Sequence, residues 1–412
     1  MLNKKESLFI SYDGLSDPLG QSQILPYILN ISKHPRNLYL ISFEKKIRLS
    51  NLIKKINDRI EKKNIKWFNL NFTSKYGKIG KLYDLLKLFC FSFYLVLKFD
   101  IKIVHGRGLI PSLTALLLKK IFFLKKIKVI FDCRGLWADE RVDNNILKKD
   151  KKFDNFIFNF LKLLERYCVK QSDQIIFLTS KVKKELEISY DIVLDNSTII
   201  PCCVDFNEFN YNNKKELNKI LRKKLNIPIE SIVFNYNGSL TGVYLFKDML
   251  LFFKKIKKQI PDCFFIITSP DTDFAKKIIS NEYGYLKESI IINEVNHSEI
   301  PKYLSISNFS LGFIKQTYAR CAMSPTKFAE SLALGVPVIY NDNIGDVTSY
   351  ILKLEAGIII DYNKNSDIEN FVLNFKKIID MGGEKLVNNS KKYFDISVAN
   401  KKYLTVYDKL DS

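Results

Sequence analysis

Apolar residues along this chain gather into short runs of strand length, separated by longer stretches with helical spacing, and the alternation occurs in two series. The first series predicts strands at Leu8 to Tyr12, Leu38 to Phe43, Ile101 to His105, Lys128 to Phe131, Gln174 to Leu178 and Thr198 to Pro201. Helical patterns fall between them, among them Asn51 to Lys62, Leu82 to Phe99 and Asp154 to Lys170. The second series predicts strands at Ile232 to Tyr236, Cys263 to Thr268, Ser289 to Ile292, Phe309 to Phe313, Val336 to Tyr340 and Gly357 to Ile360. Its helices include Tyr244 to Gln259 and Ile300 to Ile306, and Gly383 to Leu410 closes the chain as helix. Alternating strands and helices predict an α/β fold with two doubly wound parallel sheets.

A length of 412 residues exceeds what one core usually serves, which agrees with two domains. The polar stretch Asn207 to Asn226 is the natural linker. The expected division is a first domain over 1–206, a linker over 207–229, a second domain over 230–385 and a terminal helix over 386–412. In open parallel sheets ligands bind beyond the carboxyl ends of the strands, so the loops just after each strand are where chemistry is expected.

The most informative of these loops leads into Ser324-Pro325-Thr326-Lys327-Phe328-Ala329-Glu330 and on to Gly335-Val336-Pro337-Val338. Ser324 suits a helix N-cap, Pro325 the first helical position and Gly335 the position after the last turn. At about 100° per residue, Thr326, Lys327 and Glu330 share one face beside a helix N-terminus, whose free amides attract anions. A phosphate fits the amides and Lys327, while Glu330 can accept hydrogen bonds from sugar hydroxyls. Spacing alone equally permits a surface helix with one i,i+3 ion pair.

Charge refines this picture. The net charge is +21, and residues 1–200 hold 37 basic and 20 acidic side chains (37 − 20 = +17), against 28 and 24 in 201–412 (28 − 24 = +4). A basic first half beside a nearly neutral second half implies an anionic partner for the first. Lysine pairs at 45–46, 54–55, 62–63, 119–120 and 125–126, and a cluster from Lys148 to Lys152, interleave with Phe, Leu and Ile as on a surface resting against anionic lipid headgroups. Nucleic acid is not the expected partner, because no zinc-finger spacing or aromatic-basic RNA motif occurs. Leu82 to Phe99 contains Asp84 and Lys87, so a buried or membrane-surface helix is expected there rather than a span. Seven cysteines without a Cys-x-x-Cys pair sit largely in apolar runs, as reduced thiols do. Lys4, Lys5 and Glu6 lead straight into a strand with no secretory segment, so a cytoplasmic setting is expected. Three histidines make a zinc enzyme improbable on composition.

Four further loops carry candidate chemistry. The first strand runs into Tyr12-Asp13-Gly14-Leu15-Ser16-Asp17-Pro18-Leu19-Gly20, where Gly14 and Gly20 let backbone approach a ligand and the following helix should start near Pro26. The third ends at His105-Gly106-Arg107, a titratable ring beside a fixed cation. The fourth ends at Asp132-Cys133-Arg134-Gly135-Leu136-Trp137-Ala138-Asp139-Glu140-Arg141, a charge density that is costly to bury unless paired or used. The second domain opens on Asn237-Gly238-Ser239-Leu240-Thr241. Asp271-Thr272-Asp273 has the spacing of a metal-binding pair, yet it follows Ser269-Pro270 and suits a helix start, so no metal is expected.

Three of these segments (12–26, 131–143 and 324–339) resemble retaining family-4 glycosyltransferases of the two-domain GT-B fold, in a bacterial subgroup linked to surface polysaccharide. The family motif has a Glu, seven residues, a second Glu, and then a glycine turn into a Pro-Val strand. Glu330 matches the second Glu, which the resemblance implies binds the nucleotide ribose. The first Glu would fall at 322, where this chain has Ala322, so the hexose contact does not carry over. The resemblance implies a nucleotide-diphosphate sugar donor and no cofactor or metal. Its donor and diphosphate contacts would be Gly20, Gly238, Ser239, Arg320, Ser324, Thr326, Lys327 and Glu330. Val295 to Glu299 occupies the region that cradles the base in such folds. Backbone amides from Gly238 to Thr241 would replace an Arg and a Lys usual in the family. Acceptor chemistry would fall to the first domain, with Asp132, Arg134, His105 and Asp139 as catalytic candidates and Arg107, Trp137 and Glu140 beside the acceptor. Many relatives carry an acceptor-contacting His where this chain has Asp132 and Arg134. The terminal helix of the fold crosses back to the first domain. The expected function is sugar transfer to a glycan or lipid-linked glycan at the inner face of the plasma membrane. The alternatives are an epimerase- or hydrolase-like relative of the same fold, and a non-catalytic basic membrane-associated protein.

Overall fold

The computed structural model describes residues 5–33, 36–45, 49–61, 63–73 and 77–411. Lys4, Lys46 and Lys62 of the predicted lysine pattern lie outside these residues. The described residues up to Ile200, with those from Ala399 onward, pack as one unit, and Pro201–Val398 pack as a second.

The first unit holds strands β1 (Lys5–Ser11), β2 (Arg36–Glu44), β3 (Ile65–Asn71), β4 (Ile101–Arg107), β5 (Lys128–Cys133), β6 (Gln174–Phe177) and β7 (Ser197–Ile199). They form one parallel sheet in the order β3-β2-β1-β4-β5-β6-β7. The second unit holds β8 (Ile232–Asn237), β9 (Cys263–Thr268), β10 (Ile290–Asn293), β11 (Phe309–Gly312), β12 (Val338–Tyr340) and β13 (Gly357–Ile359). These form a parallel sheet in the order β10-β9-β8-β11-β12-β13. Strand order reverses between β1 and β4 in one sheet and between β8 and β11 in the other. Those switch points are where open α/β sheets leave a crevice at the strand ends.

Burial explains why these runs were readable. Parallel strands covered by helices on both faces are apolar throughout, and Leu8, Ile10, Val104, Ile130, Phe234, Ile266 and Leu311 are all buried. In the second unit, Phe234 of β8 stacks on Phe309 of β11 at 5.3 Å between ring centroids, with Phe252, Phe253 and Phe371 from the helices packed around them. The sheet's other face is covered by Phe328, Leu332 and Ala333 of the helix Thr326–Ala333.

Several local expectations are corrected. The helix of the informative loop starts at Thr326. Pro325 precedes it in extended geometry (φ −68°, ψ 124°), and no side chain caps it. Ser324 is not the cap, because its hydroxyl accepts the Cys202 N–H at 3.0 Å. Gly335 does take the left-handed conformation expected after the last turn (φ +59°). The opening glycine segment forms two short helices, Pro18–Gln23 and Leu25–Ile31, broken at Ile24. Residues 207–229 are no free linker: they include the helix Lys214–Lys224, which belongs to the second unit. There Lys214 donates to the Leu334 carbonyl at 3.0 Å, and burial pulls its pKa down to about 8. Arg222 donates to the carbonyls of Pro228, Ser231 and Ile306. The closing segment is two helices, Glu384–Phe394 and Ile396–Asp411, and the second runs from one unit into the other. The predicted helix over 82–99 is Gly77–Lys98, with Asp84 paired to Lys87 at 3.2 Å. No helix among the described residues is long and apolar enough to cross a membrane.

Candidate donor-binding site

The second unit's site begins where β8 ends. Gly238 follows Asn237 with φ +112°, a conformation that an L side chain rarely adopts, and its N–H donates to Thr268 at 2.7 Å. The absent side chain matters more than the torsion. A Cβ on Gly238 would lie 2.3 Å from Cε and 2.7 Å from Nζ of Lys327, so the lysine ammonium rests in the space glycine leaves. Lys327 lies 3.8 Å from the Tyr244 ring centroid and 5.4 Å from that of Tyr236, so two aromatic faces hold it against the loop. Among the described residues no carboxylate pairs with it. The result is an available cation at the first turn of Thr326–Ala333, where helix amides already favour negative charge.

Asp271 shapes the same loop. Its carboxylate accepts the Ser239 hydroxyl and the Leu240 N–H, both at 2.8 Å. Asp271 of the metal-like pair is therefore committed to the loop. The Thr241 N–H bonds to Ser239 Oγ at 3.3 Å. Because the Gly238, Leu240 and Thr241 amides all have partners within the protein, the predicted row of amides facing a diphosphate is not what the loop offers. Its contribution is room for Lys327.

One turn along the helix, Glu330 is 5% exposed and its Oε1 lies 3.1 Å from His297 Nε2. The other ring nitrogen of His297 lies 3.6 Å from Glu208. These two carboxylates push the His297 pKa up to about 10, so the ring is a cation at neutral pH. Thr326 is half-buried on the same first turn. Arg320 is buried, with Nε donating to Thr317 Oγ1 at 3.3 Å and its carbonyl accepting the Gly345 N–H. Ala322, where the motif's first Glu would stand, is 2% exposed.

The first unit places its candidates differently. His105 is completely buried against Phe9, its Nδ1 3.0 Å from the Tyr407 hydroxyl and its Nε2 3.6 Å from Asp132. Asp132 is also buried, accepting the Tyr403 hydroxyl at 3.1 Å with Arg134 Nη1 at 3.6 Å. Burial raises the Asp132 pKa, but Arg134, His105 and Arg107 outweigh it and hold the carboxyl well below the usual range. Burial pushes the His105 pKa down, which leaves the ring neutral. His105 and Asp132, the catalytic candidates, are both buried and hold the C-terminal helix through Tyr407 and Tyr403. Arg107, expected beside the acceptor, is 5% exposed in the same cluster. Asp139 is buried against Lys162 at 2.9 Å, in a network with Glu165 and Tyr190. Trp137 stacks under Arg141 at 4.0 Å, and Glu140 packs beside Gly135, where a Cβ would meet its Oε1 at 2.4 Å. Gly20 faces protein: a Cβ there would sit 2.0 Å from the Gly14 carbonyl oxygen. The Leu15 and Ser16 amides of that loop donate to buried Glu44 at 2.7 and 3.0 Å, so this loop is braced internally. Sequence reasoning missed His297, Tyr244 and Asp271 as parts of the second-unit site. Val295 to Glu299 was the one signal pointing at His297.

Comparison with known proteins agrees with this architecture. Residues 66–208 match the model of Glycosyltransferase Family 4, and residues 218–393 match that of Glycosyl transferases group 1. The chain is 22% identical over 258 residues to the teichuronic acid biosynthesis glycosyltransferase TuaH of Bacillus subtilis (strain 168), a match covering 63% of this chain and 60% of that relative. A glycosyltransferase from Rickettsia africae ESF-5 superposes with a TM-score of 0.71 at 16% identity, over 100% of this chain and 99% of that one. Anabaena HepE in complex with UDP and glucose superposes with a TM-score of 0.65 at 12% identity, over 98% and 99%. The chain has the GT-B fold, and each of its two halves carries a match to a glycosyltransferase family model.

Proposed function

We propose that this protein transfers a sugar from a nucleoside-diphosphate sugar to a glycan or lipid-linked glycan during cell-surface polysaccharide assembly, with retention at the anomeric carbon. The observation that carries the reading is the Lys327 ammonium lodged beside Gly238 at a helix N-terminus, with Glu330 one turn further on. In this reading Lys327 and the first-turn amides, with Thr326, hold the diphosphate and stabilise the charge that grows on it as the glycosidic bond breaks. Glu330 accepts the ribose hydroxyls. HepE, with UDP and glucose on a similar fold, and TuaH, a teichuronic acid enzyme by name, support the donor class and the pathway class. No metal or cofactor is assigned.

A thermal-shift screen with UDP-, GDP-, CMP- and dTDP-sugars tests this. One nucleotide sugar should stabilise the wild type, by about 2.7 kcal/mol at a hundredfold excess over Kd. Glu330→Ala should lose most of the shift. Equal stabilisation of both proteins removes the ribose role, and no stabilisation by any sugar leaves the binding-protein alternative. Buried Ala322 favours one rival, a hydrolytic relative, which acceptor-independent release of free sugar would identify.

The acceptor side is proposed to rest on the inner leaflet of the plasma membrane. Leu82 and Leu86 of Gly77–Lys98, Phe123 and Leu124, and Phe153 and Phe156 of Lys152–Gln171 are all exposed, and Lys148, Lys149, Lys151 and Lys152 stand beside the last pair. Anionic headgroups contribute about 1 kcal/mol per nearby lysine, and the aromatic rings enter the acyl boundary. Flotation with phosphatidylglycerol vesicles should recover the wild type. A Phe153→Ser/Phe156→Ser variant should stay with the soluble fraction, as should wild type with neutral vesicles. Binding that ignores both changes rejects this face.

A further inference from the structure

We infer that His297 is a positioning residue for the donor: clamped between Glu208 and Glu330, it fixes one oxygen of Glu330 and leaves the other aimed at the nucleotide. The inference rests on the donor reading above and adds a residue to it. Glu330 is buried at its base, but a glutamate carboxylate turns about its last torsion with little resistance. His297 Nε2 at 3.1 Å holds Oε1, so Oε2 remains to accept hydroxyls. His297 is fixed in turn by Glu208 at 3.6 Å on its other nitrogen and by the edge of Phe209, 5.9 Å between centroids. With its pKa raised, the ring carries a proton on both nitrogens, so each can donate and no tautomer choice weakens the clamp. His297 is the first residue of the short 3-10 turn that follows β10, so its contact with Glu330 ties that turn to the helix Thr326–Ala333. Three separate segments thereby meet at one imidazole.

A double-mutant cycle on the full chain tests this, with Kd read by calorimetry using whichever of UDP, GDP, CDP or dTDP binds the wild type. His297→Leu should weaken binding about tenfold, and His297→Gln, which keeps an N–H donor, should recover all but about threefold of it. In a Glu330→Ala background the same His297→Leu change should have almost no further effect. In turnover the loss should appear in donor KM with kcat within twofold, a split that general destabilisation does not produce. An equal loss in both backgrounds overturns the inference, because His297 then acts without Glu330. No loss in the wild-type background overturns it as well. If Glu330→Ala alone leaves Kd unchanged, the donor reading itself fails, and that result is distinct from the other two.

Discussion

Asp132→Ala should destabilise the first unit by about 3–5 kcal/mol, among the largest effects any single substitution will have here. Asp132 is the carboxylate facing His105, Arg107 and Arg134 in a buried cluster. Its removal takes a carboxylate away from two guanidinium groups and leaves the Tyr403 hydroxyl without this acceptor. Asp132→Asn keeps volume and an acceptor but not the charge, so its loss should be smaller. The pH dependence follows from two lowered pKa values. The folded Asp132 stays ionised below the usual carboxylate range, so its stabilisation is full above pH about 4 and disappears as pH falls further. Folded His105 refuses a proton that the unfolded chain takes up below pH about 6.5, so stability again drops on acidification. Wild type should lose stability from pH 6.5 downward, and Asp132→Asn should show a flatter acid limb. Both tryptophans of the chain, Trp67 and Trp137, belong to the first unit, so their emission follows its unfolding during denaturant titration. An unchanged midpoint for Asp132→Ala would mean that the cluster is solvated in solution.

What the sequence yields easily is what burial on both faces writes into it. β8, β9 and β11 are near-continuous apolar runs, and their limits emerge within one or two residues. β3 goes unnoticed because it is the edge strand of its sheet, and Ile65-Lys66-Trp67-Phe68-Asn69-Leu70-Asn71 alternates with solvent. The helix Lys214–Lys224 passes for linker because only Leu217, Ile220 and Leu221 mark its face among lysines and asparagines. Ser324 has ideal local chemistry for a cap, yet the Cys202 amide claims it, a contact that no local pattern contains. The candidate site residues divide in the same way. Lys327 and Glu330 share a face through helix geometry, so their juxtaposition, though not their role, is legible from spacing. His105 is placed by Tyr407, 302 residues away, a contact with the terminal helix that no local pattern contains. His297 meets Glu330 only through the register of β10 against its neighbours, so its partner cannot be read from the chain.

Gly238→Ala should weaken nucleotide binding at least tenfold, and the reason separates from ordinary glycine strain. Two features of Gly238 resist a side chain: φ of +112°, costing about 1–2 kcal/mol for an L residue, and the Lys327 Cε within 2.3 Å of the would-be methyl. The second obstacle is a flexible chain end, so it yields by moving, and the ammonium then leaves its place against Tyr244. Gly242 provides the control within the same loop. It also has positive φ, +73°, but a Cβ there meets nothing within 4 Å. Gly242→Ala should therefore lower the melting temperature to a similar extent while changing Kd less than threefold. Lys327→Ala should reproduce the binding defect of Gly238→Ala, about 10–100-fold for a desolvated charge-assisted contact to phosphate. Combining Gly238→Ala with Lys327→Ala should then cost little more than either alone, because both remove the same cation from the same place. If Gly238→Ala and Gly242→Ala weaken binding equally, loop strain alone accounts for the defect and Lys327 does not serve the diphosphate from this position.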